Sequence, residues 1–351
     1  MLQRWGIIGS RKVLKNVSDD PRSPGENTGL QGVLALPEFR KLWLGQIFSQ
    51  LADKFYIVLM VFLIAQYWAG ATPPEGGALV EAAGAFNLSI EGRAQWITLL
   101  ATGIYVANTI PAMVLGLVAG VWADRWRKRE VMVASNGIRA GLALLTPFCL
   151  LDGPHWLGLS WGYWALLVIT FLESVLTQFF APAEQAAIPM LVPTRQLLAA
   201  NSLYQATSMA ATIVGFALGD PILRALKYGL GAFGIANGEF ALLPLCYGLA
   251  ALSIAWIRVE ETPRRSHDEN IWREISDGLE VLKQRPSVRS AMLQLVLLYS
   301  LLAALYVLAI SLASAIRQLG PTQFGTLLAM SGIGLALGAV AVAQIGHRFN
   351  R

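Results

Sequence analysis

The sequence predicts an all-α polytopic membrane protein, and three observations carry that prediction. Of its 351 residues, 55% are hydrophobic and 14% charged, with a mean hydropathy of +0.52, whereas soluble domains are roughly a quarter charged. The apolar residues fall in long runs, as helices in lipid require, and not in the short alternating stretches of barrel strands. The 27 lysines and arginines gather at alternate ends of those runs. A water-soluble globule of this size has no room to hide so much apolar side chain, so lipid is the expected solvent. That sets aside soluble enzymes and nucleic-acid binders. Cys149 and Cys246 both sit inside apolar runs and suggest no disulfide framework.

Residues 1–35 contain Pro21, Pro24 and five basic residues, lack the apolar core of a cleaved signal, and are expected to form a mobile polar tail. A helix needs about 20 apolar residues to cross roughly 30 Å of hydrocarbon. Eight segments satisfy this: 42–68, 95–122, 130–151, 161–181, 198–223, 239–258, 290–316 and 323–346. The gap 69–94, with Pro73-Pro74 and Gly76-Gly77, is expected to be a loop with a short interfacial helix. In 259–289, Ile271, Ile275, Leu279 and Leu282 recur at helical spacing, an amphipathic helix for the membrane surface or the bundle. This linker separates a six-helix bundle over 36–258 from two helices over 290–351. Counting Lys and Arg in the connections, 21 fall on the side of the N-terminus and four on the other, which places the N-terminus in the cytoplasm.

The two parts look like copies. Pro37, Phe39 and Arg40 enter the first segment as Pro286, Val288 and Arg289 enter the seventh, and Asp124-Arg125-Trp126-Arg127-Lys128 leaves the second as His347-Arg348-Phe349-Asn350-Arg351 leaves the eighth. A complete second copy in a parallel-repeat carrier would add about four further helices. The chain is therefore expected to be truncated after its eighth helix.

Several chemistries lack their residues. There is no phosphate-cradling Gly-x-x-x-x-Gly-Lys-Ser/Thr loop, no Gly-x-Ser-x-Gly elbow, and no ligand-spaced partner for His155, His267 or His347. Neither a cofactor nor an enzymatic reaction is called for. The informative residues are charges in apolar segments: Asp53 and Lys54 in the first, Arg139 in the third and Glu173 in the fourth. At 1.5 Å per residue, Asp53, Arg139 and Glu173 share a depth of roughly 12–17 Å, which permits pairing across helices. One reading is a proton-responsive carboxylate balanced by Arg139; the other is a static ion pair that fixes packing, the preferred reading for Glu173. Lys54 points to another face of its helix than Asp53.

Two polar stripes accompany these charges. Gln46, Ser49, Asp53 and Tyr56 share one face of the first helix, and Asn201, Gln205, Ser208 and Thr212 one face of the fifth. Such stripes are expected to face a cavity, or else neighbouring helices through hydrogen bonds. Gly116, Gly120 and Asp124 recur every four residues before the basic cluster Arg125, Arg127, Lys128 and Arg129. The glycines are expected to let a neighbouring backbone approach, and Asp124 to face a helix N-terminus. The cluster itself also serves as a topology signal.

Gly120-Val121-Trp122-Ala123-Asp124-Arg125-Trp126-Arg127-Lys128-Arg129 resembles the signature between helices two and three of the major facilitator superfamily. The replacement of its later glycine by Arg127 is familiar in the branch that includes macrolide and enterobactin exporters. Pro182 to Pro193, continuing to Ala200-Asn201-Ser202-Leu203, is similar to that branch's connection between helices four and five, as is Leu42-Trp43-Leu44-Gly45-Gln46 with Ser49 and Asp53. Where antiporters of the superfamily carry Gly-Pro in helix five, this chain has Gly215-Phe216, followed by Gly219-Asp220-Pro221.

The resemblance implies two six-helix bundles around a central cavity that rock to give alternating access. It implies proton-coupled efflux of a small amphipathic molecule across a bacterial inner membrane, with Asp124 latching one state against the eleventh helix. On this reading the partners are membrane lipids, the substrate and a proton, and a separate polypeptide would supply any missing helices. A lysophospholipid flippase and a non-transporting remnant or scaffold are the rival expectations.

Overall fold

The computed structural model describes residues 29–68, 90–151, 153–156, 159–234, 237–259, 280, 283–316 and 323–345. Most of the expected tail, the loop 69–89, the linker positions Ile271, Ile275, Leu279 and Leu282, and the chain after 345 lie outside them.

Among the described residues eight long helices run in chain order: α1 Pro37–Leu63, α2 Ile90–Arg125, α3 Lys128–Leu145, α4 Trp161–Leu191, α5 Leu197–Ala232, α6 Leu242–Ala255, α7 Pro286–Ala315 and α8 Phe324–Ile345. Seven helical stretches among the described residues are long and apolar enough to cross a membrane, and Phe324–Gly334 of α8 is a shorter apolar stretch. The protein is thus a multi-pass, all-helical membrane protein. α1 and α7 both open on proline, Pro37 and Pro286, where the missing N–H would have had no helical acceptor. Pro111, Pro182, Pro189 and Pro221 lie inside helices, as neighbouring helices in a bundle permit.

The helices are longer than hydropathy alone suggests. α4 continues ten residues past 181 to Leu191, and α5 reaches Ala232. The expected polar tail also ends too late: Leu30–Ala35 is a short helix with Val33 fully buried, held by apolar contact with the basic end of the bundle. Between α3 and α4, His155-Trp156 pairs antiparallel with Leu159-Ser160.

α1 lies at the centre, against α5 and α6; α3 packs on α4 and α6, and α2 along α4. α8 docks on α5, and α7 on α2. The α1–α5 seam is close because two glycines four residues apart on α5 face it. A Cβ at Gly215 would stand 2.5 Å from Lys54 Cβ, and one at Gly219 would stand 2.9 Å from Val58 Cγ2. This is the small-xxx-small packing of membrane helices. Gly116 and Gly120 do not play that part among the described residues: a Cβ at Gly116 would come no nearer than 3.9 Å to Gln178, and one at Gly120 would meet nothing within 4 Å.

Candidate functional site

The charges of α1 and α3 meet inside the bundle. Arg139 donates from Nη1 to Asp53 Oδ1 at 2.8 Å, and Tyr247 of α6 donates its hydroxyl to the same oxygen at 2.9 Å. The Arg139 side chain is fully buried while that of Asp53 keeps 26% of its surface. The guanidinium lies between the rings of Phe180 and Tyr247, its carbon 4.9 Å from each centroid. Aromatic faces thus stand where water would otherwise solvate Arg139, and the partly exposed member of the pair is the carboxylate.

Glu173 does not join the pair. It is buried within electrostatic reach of Arg139 and Asp53, yet neither carboxylate oxygen has a hydrogen-bond partner. The expected three-way pairing is a pair with a second carboxyl group beside it: Arg139 hydrogen-bonds Asp53 on α1 through Nη1, and the ring of Tyr247 on α6 covers its guanidinium. One turn along α1, Tyr56 and Thr170 of α4 share a hydrogen bond of 2.8 Å between their hydroxyls. Tyr56 also lines a cavity of about 20 Å³ together with Tyr105, Tyr306 and Phe324, where α1, α2 and α4 meet α7 and α8. The rings of Tyr105 and Tyr306 stack 5.9 Å apart.

The polar stripe of α1 serves helix contacts. Gln46 donates to the Tyr204 carbonyl at 3.0 Å, and Ser49 donates to Asn136 Oδ1 at 3.2 Å; both residues are buried. The stripe of α5 is placed differently: Asn201 and Gln205 are exposed and do not join the Asp53 centre, while Thr212 donates back to the Ser208 carbonyl.

At the basic end, Lys128 donates to the Trp126 carbonyl at 3.0 Å, Arg127 pairs with Glu130 at 2.8 Å, and Arg129 donates to the Ala255 carbonyl. Arg125 lines an apolar concavity between α2, α3 and α4. The Asp124 side chain lies outside the described residues. At the opposite end a second charged group forms: Lys227 approaches Glu239 Oε1 at 3.8 Å, Tyr67 donates to the same oxygen at 3.2 Å, and Arg224 pairs with Asp220 at 2.9 Å.

Several of these residues escape a reading of the sequence. Tyr247, and Phe180 of the Phe179-Phe180 pair, are aromatics in apolar segments and carry no mark that sets them apart from core. Glu184 is fully buried and accepts from the Tyr204 hydroxyl at 3.0 Å. A segment ending at 181 assigns it to a loop, although the burial of Ala183 and Ala187 around it continues the helical period.

Comparison with known proteins agrees with this architecture. The family model described as "Transmembrane secretion effector" matches residues 68–351. Macrolide efflux protein A of Streptococcus pyogenes is 26% identical over 188 residues, covering 52% of this chain and 42% of the relative. The enterobactin exporter EntS of Salmonella typhi is 30% identical over 256 residues, covering 70% and 55%. An uncharacterized MFS-type transporter of Bacillus subtilis, YfiS, is 26% identical over 241 residues, covering 69% and 54%. The chain spans about half the length of these relatives. No solved structure matches it significantly. An all-helical membrane bundle, matched over most of its length by that family model, belongs to the transmembrane secretion effectors of the major facilitator superfamily.

Proposed function

We propose that the protein is a secondary active exporter of a small amphipathic molecule, driven by proton entry, in a bacterial inner membrane with its basic end in the cytoplasm. The observation that carries the reading is the Asp53–Arg139 pair. A partly exposed carboxylate held by a buried guanidinium inside a membrane bundle marks an ion or substrate path more often than a structural tie. Protonation of Asp53 would dissolve its bond to Arg139, and re-pairing would expel the proton, so occupancy and helix packing are coupled. The packing of Tyr105, Tyr306 and Phe324 around a cavity of only about 20 Å³ one turn beyond Asp53, together with the exposure of Asn201 and Gln205 near the basic end, supports a state open to the cytoplasm. The names of the macrolide and enterobactin relatives support efflux as the direction.

The test is substrate flux in proteoliposomes under an imposed pH gradient. Gradient-driven flux that is lost in Asp53→Asn and retained in Asp53→Glu is the expected result. Flux that is indifferent to Asp53→Asn removes the carboxylate from coupling, and lysolipid flipping without a gradient would replace efflux with lipid movement.

A further inference from the structure

A concavity of about 650 Å³ lies on the flank of the bundle at its basic end, within the roughly 300–1,000 Å³ of ligand pockets. Its walls are apolar: Val131 and Ile138 from α3, Leu176 and Phe179 from α4. None of its lining residues belongs to the Asp53 centre. Ile138 stands one position before Arg139 on α3, yet it is 53% exposed while Arg139 is fully buried. On helices that cross a bilayer, an apolar groove on the flank is filled by lipid tails and not by water.

The mouth is built differently from the walls. Arg125 and Arg127 line it, and Glu130 holds Arg127 in place at 2.8 Å. Over 124–130 the sequence carries four cations, Arg125, Arg127, Lys128 and Arg129, against the two carboxylates of Asp124 and Glu130. Between mouth and wall sits Trp126, half exposed, its ring stacked 5.9 Å from Phe179 and 5.5 Å from the tilted ring of Trp122. Indoles settle at the headgroup level of a membrane, and guanidinium groups there match the geometry of a phosphate diester.

From this juxtaposition we infer that the groove between α2, α3 and α4 is a binding site for one anionic phospholipid of the bilayer. An acyl chain lies along Val131, Ile138 and Leu176, the glycerol region meets Trp126, and the phosphate meets Arg125 and Arg127. A zwitterionic lipid brings its own cation to this positive mouth and is disfavoured. The site does not depend on the transport reading, since it faces lipid and shares no side chain with the Asp53 centre.

The experiment is fluorescence quenching in phosphatidylcholine vesicles containing a small fraction of acyl-brominated phosphatidylglycerol or acyl-brominated phosphatidylcholine. The contribution of Trp126 is read as the difference between the protein and its Trp126→Phe variant. Brominated phosphatidylglycerol should quench that contribution with an apparent affinity about fivefold or more above brominated phosphatidylcholine, as one basic contact to an anionic headgroup supplies. Arg127→Gln should reduce the preference toward unity. Ala134→Phe, which fills the groove and leaves the mouth charged, should weaken quenching by both lipids, with helicity by circular dichroism confirming that each variant is folded. Equal quenching by the two lipids would overturn the proposal, as would a preference unchanged in Arg127→Gln. Reversal of quenching by soluble glycerol phosphate would overturn the acyl-chain part.

Discussion

Arg139 and Asp53 are joined at 2.8 Å across the α1–α3 gap, and the two sides of that pair are solvated very differently, one fully buried and the other a quarter exposed. Breaking a buried pair from one side strands the other charge, at about 3–5 kcal/mol. Arg139 would be the stranded partner in Asp53→Ala, with no carboxylate hydrogen-bonded to it, the Phe180 and Tyr247 rings beside it and Glu173 within electrostatic reach; Asp53 would be stranded in Arg139→Ala, with the Tyr247 hydroxyl and some solvent. We expect Asp53→Ala to destabilise more than Arg139→Ala, and the double variant to lose clearly less than the sum of the two. Equilibrium unfolding in detergent, arranged as a double-mutant cycle, reads this directly.

Tyr247 bears on the same oxygen by a separable route. Tyr247→Phe removes the hydroxyl donor at 2.9 Å and keeps the ring against Arg139. A hydrogen bond to a charged group is worth about 1.5–3 kcal/mol, so the loss should fall in that range. Tyr247→Leu removes the ring as well and should cost more. Equal unfolding midpoints for the two variants would show that the ring contributes nothing.

The spacing arithmetic that puts Asp53 and Arg139 at one depth uses only helix rise, which is why the two charges can be matched without coordinates. Which way each side chain turns within its layer is a different matter. It depends on helix rotation and on partners such as Tyr247, five helices after Asp53 and three after Arg139 in chain order, and apolar segments carry almost no periodic signal for rotation when all faces are hydrophobic. The same limit explains Glu173, within electrostatic reach of Arg139 yet without a hydrogen-bond partner, and the α5 stripe, whose Asn201 and Gln205 are exposed. Hydropathy also cuts helices short where polar residues begin, so Glu184 falls in an assigned loop although the chain stays helical to Leu191.

Glycines separate in the same manner. Gly-x-x-x-Gly occurs at 116 and 120 and again at 215 and 219, and spacing alone cannot rank them. The structure does: a Cβ at Gly215 meets the stem of Lys54, whereas Gly120 faces open space among the described residues. Gly215→Val should destabilise by about 1–3 kcal/mol through overpacking of α1 against α5. Gly120→Ala should be neutral or slightly stabilising, since alanine is the better helix former. Thermal unfolding of the two variants side by side distinguishes them, and an equal loss would return Gly120 to a packing role.

The charged group at the far end of the bundle is expected to be a tie between α5 and the start of α6. Glu239 is fully buried with Oε1 facing both Tyr67 and Lys227, while the Lys227 side chain keeps 27% of its surface and lies 5.0 Å from the Tyr67 ring centroid. Lys227→Met leaves the carboxylate with one neutral donor and should cost about 1–3 kcal/mol. Adding Glu239→Gln removes the stranded charge and keeps an acceptor for Tyr67, so the double variant should recover much of that loss. Recovery would identify the cation's task as balancing Glu239. A double variant as unstable as Lys227→Met would instead show that the lysine acts through its stem, by packing on Phe62 and Tyr67. Unfolding midpoints for the three proteins decide between these two physical roles.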